Sequence, residues 1–214
     1  MNGDFLFLIL FLVIFIVGMI IRGYYGRRSP DREKSIRNRL RAAVEHEGRL
    51  SFVLLMVQAL FMVFSVVLYI FFTTQLFWFQ VVLPDWLRWI GVSLGVISLP
   101  FLWWVQATLG RAFSPSLTIQ AQHTLVTHGP YRYVRHPMYT VHLFYCLSWF
   151  LISANILFFI TWILMVFYII VRIPKEEKML LARFGDEYRQ YMNRTGRLVP
   201  PLHKKNQISG SKAM

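Results

Sequence analysis

The chain is poor in cysteine, in acidic residues and in charge altogether. Cys146 is the only cysteine among 214 residues, which excludes an intrachain disulfide and a cysteine metal cluster. Its place inside an apolar segment points to packing. Asp and Glu number 10 against 23 Lys and Arg, and charged residues make up 15% of the chain, where a soluble domain carries about a quarter. There is no GxGxxG following a strand, no P-loop lysine and no internal repeat. No Rossmann domain is expected, so a nucleotide-like cofactor has to bind by another route. His123, His128 and His136 fit no simple metal-ligand spacing, and a basic loop repels cations, so no metal site is expected.

What the chain has instead is oil: 56% hydrophobic residues, 17% aromatic, and a mean hydropathy of +0.48. Three apolar segments, Phe5 to Ile21, Leu50 to Phe72 and Trp86 to Gln106, are long enough for a bilayer core that takes about 20 helical residues to cross. Two more, Met138 to Ile152 and Ile156 to Val171, are separated only by Ser153-Ala154-Asn155, which suits a tight helical hairpin. The expected fold class is all-α, a polytopic membrane protein of five transmembrane helices with cytoplasmic helices attached. Asp4 precedes the first apolar core and Arg22, Arg27 and Arg28 follow it, the reverse of a cleavable signal, so this segment reads as a retained anchor.

Charge placement sets the expected orientation. Every Lys and Arg except Arg88 lies from Arg22 to Arg49, from Arg111 to Arg135, or from Arg172 to Lys212, whereas the loop from Thr73 to Asp85 has none. With five spans, the positive-inside rule puts the N-terminus outside and the C-terminus in the cytoplasm. The net charge of +13 fits membrane-adjacent loops that meet anionic lipid head groups. It forms no nucleic-acid module, and no nucleic-acid partner is expected.

Several local features can be read in advance. Ser29-Pro30 opens a polar helix up to about Glu47, with a serine cap and proline in the first turn. Gly91 and Gly95 have the spacing that lets helices approach closely, within the bundle or in a dimer. From Pro174 an amphipathic pattern places Leu180, Phe184, Tyr188 and Tyr191 at helical spacing, and Gly185-Asp186 ends one helix and caps the next. Residues 206–214 read as a disordered tail.

The polar run from His123 to Tyr139 stands out between two oily segments, and the charge pattern places it on the same face as Glu176-Glu177. Gly129-Pro130 forces a turn, and Pro137 holds His136 extended at the entrance of the fourth span. Arg172 and Glu176 are four apart and share a helix face. Taken alone they are no more than a helical salt bridge. With the run they gather carboxylate, guanidinium, imidazole and phenol at one membrane boundary, the composition of a candidate site.

These residues carry a resemblance. HTLV at 123–126, GPY at 129–131, RHPMY at 135–139, the segment from Arg172 to Glu177 and FGDEYRQY at 184–191 resemble the isoprenylcysteine carboxyl methyltransferase family, within a wider group that includes phospholipid N-methyltransferases. The likeness covers roughly Leu109 to Pro200. It implies a single membrane methyltransferase domain over residues 1–205, with S-adenosylmethionine enclosed by residues of about 109–200. By motif position, His123, Thr124, Leu125, Val126, Tyr131, His136, Pro137, Met138, Tyr139 and Glu176 would contact the cofactor, and Arg172 would face the substrate carboxylate.

The implied roles suit the side chains. Leu125, Val126, Met138 and Tyr131 can enclose an adenine, while Glu176 accepts hydrogen bonds from a ribose or an amino group. A carboxylate acceptor is already ionised at neutral pH and needs no general base. The expected function is carboxyl methylation of a lipidic or prenylated substrate drawn from the bilayer. An amine acceptor, as in phosphatidylethanolamine methylation, has to lose a proton first, and Arg172 favours the carboxylate over it. A sterol-reductase-like NADPH enzyme is disfavoured because this short chain carries the HTLV, GPY and double-glutamate blocks together. A non-enzymatic scaffold, with the polar cluster serving only loop backbones, is the remaining alternative.

Overall fold

The computed structural model describes residues 3–28, 44, 48–72, 77–110 and 125–201. The polar helix expected from Ser29 to about Glu47 lies outside them apart from Val44, as do His123, Thr124 and residues 206–214.

A chain that is apolar for 20 residues at a time can satisfy its backbone in lipid only by coiling on itself, and the described residues form helices and no strand. They are α1 (Gly3–Arg28), α2 (Arg49–Phe71), α3 (Asp85–Leu109), α4 (Pro137–Ser153), α5 (Ile156–Phe184) and α6 (Asp186–Arg194). Four of these, α1, α2, α3 and α5, are long and apolar enough to cross a membrane. The fourth expected span corresponds to α4, which is 17 residues long. The helix expected to begin near Pro174 is no separate element. α5 runs through Pro174 to Phe184, and only Gly185, at φ 52°, ends it and begins α6.

The turn between α4 and α5 is built from two residues. Ala154 takes the left-handed conformation at φ 49°, and the Asn155 side chain caps α5 by accepting from the Leu157 N–H at 3.0 Å. The helices then run back along each other, with Trp162 Nε1 donating to the Leu143 carbonyl at 3.0 Å. Phe7, Phe11 and Ile14 of α1, Tyr69 of α2, Val92 of α3, Tyr145, Cys146 and Trp149 of α4, and Phe158 and Tyr168 of α5 meet in one core. Cys146 is buried there, as a packing residue should be.

At one end of the bundle Arg88 fastens three elements together. It pairs with Asp4 of α1 at 2.7 Å, lies 3.8 Å over the Phe7 ring, and donates to the Ile152 carbonyl of α4 at 3.1 Å. The single basic residue outside the three clusters is thus a paired one. Trp86 and Trp89 are exposed near this end and Trp103 and Trp104 near the other, about 25 Å along α3. That spacing of amphipathic rings matches the two interfaces of a bilayer.

Gly91 and Gly95 serve the inside of the bundle. A Cβ on Gly91 would stand 2.6 Å from Leu151 Cβ and 2.9 Å from the Ile152 nitrogen, and one on Gly95 would stand 3.0 Å from Ile14 and 3.1 Å from Ser148 Oγ. Gly91→Ala therefore has to push α3 away from α4, because backbone cannot move aside as a side-chain tip can. We expect it to lower stability by about 1 to 3 kcal/mol, read as a drop in the melting temperature of detergent-solubilised protein. The contact leaves no such room at a helix surface, so a Gly91→Ala protein of unchanged stability is incompatible with this packing.

Candidate active site

At the opposite end from Arg88, the chain folds its polar run against the continuation of α5. Gly129, at φ 59°, opens a 3-10 turn over Gly129–Arg132, and its approach to α3 is close: a Cβ there would lie 2.8 Å from Thr108 Oγ1. His136 then stands at the N-terminal cap of α4 with Pro137 in the first turn, where a missing N–H leaves nothing unpaired. Extension past the apolar part of α5 carries Arg172, Glu176 and Glu177 into the same region.

The two adjacent glutamates divide the work. Glu176 is a quarter exposed and accepts from the Tyr139 hydroxyl at 2.7 Å. Glu177 is buried and bonded on all sides: Arg135 Nε lies at 3.0 Å, Arg197 Nη2 at 2.6 Å, Arg197 Nε at 3.3 Å and His136 Nε2 at 3.3 Å. A carboxylate has only acceptors to offer, and these donors surround it. The His136 imidazole lies between both carboxylates, with Nδ1 4.0 Å from Glu176 Oε1. Bonding to Glu177 also holds the Arg197 guanidinium above its ordinary range.

Glu177 fastens a strap made of residues 195–198. Arg135 N donates to the Gly196 carbonyl at 2.8 Å, His136 N to the Arg197 carbonyl at 3.1 Å, and Thr140 Oγ1 to the Leu198 carbonyl at 2.7 Å. Arg135 Nη1 also bonds the carbonyls of Met192 and Thr195. From α6, the Tyr191 hydroxyl donates to the Tyr131 carbonyl at 2.7 Å. Burial pushes that hydroxyl up to about 12 and the Tyr131 hydroxyl well above its usual value, so both stay protonated.

Arg172 is buried one turn before Glu176, bonded through Nη1 to the Tyr168 hydroxyl and lying 5.3 Å from that ring. Arg172, Tyr168 and Glu176 all lie within electrostatic reach of Tyr139. Tyr131 is buried beside Val105, Leu102 and Val141, and Val126 and Met138 pack against the same cluster. Leu125 is half-buried beside Val126. Of the residues singled out in the sequence, Tyr139, His136, Glu176 and Arg172 thus share one polar centre, and Val126, Tyr131 and Met138 share an apolar one. The sequence did not single out Arg135, Tyr168 or the strap. Arg135 was visible inside RHPMY, but the strap has no periodicity to betray it.

This arrangement can be compared with known proteins. Residues 89–182 match the isoprenylcysteine carboxyl methyltransferase family. The matched segment begins in α3 and ends near the close of α5, so it takes in the turn, His136, Tyr139, Arg172 and both glutamates. A probable protein-S-isoprenylcysteine O-methyltransferase of Oryza sativa subsp. indica is 34% identical over 96 residues, 44% of this chain and 50% of that one. Protein-S-isoprenylcysteine O-methyltransferase A of Arabidopsis thaliana is 33% identical over 96 residues, covering 44% and 49%. The Schizosaccharomyces pombe protein-S-isoprenylcysteine O-methyltransferase is 34% identical over 94 residues, covering 42% and 40%. The chain thus spans about half the length of the curated relatives it matches, or less. Among solved structures, the eukaryotic intramembrane Ras methyltransferase ICMT aligns with a TM-score of 0.50 and 28% identity over 54% of this chain and 42% of that one.

Proposed function

We propose that the protein is an S-adenosylmethionine-dependent methyltransferase of the membrane that esterifies the carboxylate of an isoprenylcysteine-type acceptor. The observation that carries this is the pairing of buried Arg172, held by Tyr168, with the Tyr139–Glu176 hydrogen bond one helical turn away. One half of that centre binds an anion, and the other offers acceptors to hydroxyl or ammonium groups. We place it at the cytoplasmic face of five spans, with α4 as the fourth and the N-terminus outside.

The residues present fit the methyl donor. Val126, Tyr131 and Met138 give an apolar wall for a base, Leu125 adjoins it, and the partly exposed Glu176 carboxylate accepts from a ribose or an amino group. His136 and Pro137 set the start of α4 so that Tyr139 reaches Glu176, and motif position assigns His123 and Thr124 to the same donor-binding set. S-adenosylmethionine, when bound, supplies a methyl group on a sulfonium sulfur. Arg172 orients the acceptor carboxylate by charge-assisted hydrogen bonds, and the buried setting excludes water, which would otherwise solvate the attacking oxygen. No side chain has to remove a proton. Rate comes from alignment.

Two measurements test this. Purified protein given donor labelled in the methyl group and a farnesyl thioether carboxylate should yield a product that releases labelled methanol in base. Its rate should stay flat from about pH 6 to about pH 9, because the acceptor is ionised throughout. Label that stays in base-stable lipid, with a rate that climbs with pH, identifies an amine acceptor instead.

A further inference from the structure

Gln106 lies in the last turns of α3, 1% exposed, and neither its Oε1 nor its Nε2 has a hydrogen-bond partner. A buried primary amide with both ends unmet is costly, and folded proteins keep few of them. The face of α3 that carries it also carries Leu102 and Val105, both fully buried against Tyr131 and Val141, with Val126 and Met138 packed alongside. Two residues on, Thr108 touches the Gly129 turn. The unmet amide therefore stands in the wall next to the residues that form the apolar half of the site. Near it, the Tyr139 hydroxyl is met by Glu176, the Tyr191 hydroxyl by the Tyr131 carbonyl, and His142 by the Met138 carbonyl and Arg22.

We infer that Gln106 recognises the base of the methyl donor, its amide oxygen accepting from the 6-amino group of adenine and its amide N–H donating to a neighbouring ring nitrogen. This rests on the function proposed above. The chemistry of the two candidate ligand parts decides between them. A prenylcysteine carboxylate offers acceptors only and leaves Oε1 unmet, whereas an adenine edge presents a donor beside an acceptor, the pattern that a carboxamide matches with two parallel bonds. Gln106 is then a specificity residue for the donor, placed on α3 outside the polar run and the paired glutamates.

The test uses the full chain in detergent and compares S-adenosylhomocysteine with its analogue lacking the 6-amino group, both by calorimetric titration. Wild-type protein should bind the analogue about tenfold more weakly, and Gln106→Met should bind both equally and more weakly than wild type binds the adenine form. Without ligand, Gln106→Met should melt no lower than wild type, because the amide it removes has no partner there to lose. A Gln106→Met protein that melts lower while keeping the full preference for the amino group gives Gln106 a structural role and overturns the inference. If wild-type protein, folded by the same melting criterion, binds neither compound, the proposed function itself fails and takes the inference with it.

Discussion

Arg172→Ala is expected to lower kcat/KM for a prenylcysteine carboxylate about 100-fold, mainly through KM, while donor affinity stays within about twofold. The reasoning follows the charge. The acceptor carboxylate carries its full charge when it arrives and none once methylated, so its attraction to Arg172 weakens along the reaction. A guanidinium in that position serves capture and orientation, and its loss shows in binding before it shows in turnover. Arg172→Lys keeps the charge and loses the planar fork, so it should fall between the two. Tyr168→Phe removes only the hydroxyl that holds Arg172 and should have the smallest effect of the three. A variant series in which donor binding collapses together with acceptor binding would place Arg172 on the donor and sink the assignment.

Glu176→Ala and Glu177→Ala should fail in different ways although the residues are neighbours. Removing Glu177 strips the acceptor from Arg135 and His136, both inside the fold, and from Arg197, which is half exposed. Breaking a buried ion pair from one side costs about 3 to 5 kcal/mol, and the exposure of Arg197 puts this case near the lower end. The expected result is a lower melting temperature and faster proteolysis in the 195–198 strap, with donor binding lost as a consequence. Removing Glu176 costs one hydrogen bond from Tyr139 at a partly open site, so the protein should stay folded and lose donor binding directly. Equal unfolding by both variants would show that the division between a ligand-facing and a strap-holding glutamate is wrong.

The apolar helices were legible because hydropathy is a property of consecutive residues. The apolar runs coincide with helices, Leu50–Phe72 overshooting α2 by one residue, and helices overrun them at polar ends, as at Arg22–Arg28 of α1 and Pro174–Phe184 of α5. Pro174 read as the start of a helix because the amphipathic pattern begins there. It sits inside the helix, since the surrounding turns hold the geometry without that one bond. In the site, Tyr139, His136, Arg172 and Glu176 could be read from motif position, and the i, i+4 relation of Arg172 and Glu176 needed only a helix. Glu177 could not be given its role in this way. Its partners lie 42, 41 and 20 residues away, and Arg197 arrives on a segment whose pairing with residues 135 and 136 follows no repeat. Gln106 was hidden for the opposite reason: in an apolar helix it looked like the polar tail of a span, and only its burial without a partner marks it.

The long reach of Glu177 bears on how the protein comes into being. Hydropathy alone can insert α1, α2 and α3 one at a time as they are made, but Arg135 and His136 have to wait for residues 177, 196 and 197 before their bonds can close. Insertion into the bilayer and completion of the site are therefore two separate events. Contacts this distant in sequence form slowly. A variant trapped before that closure would hold every helix in place and still lack the strap that joins residues 135 and 136 to 196 and 197.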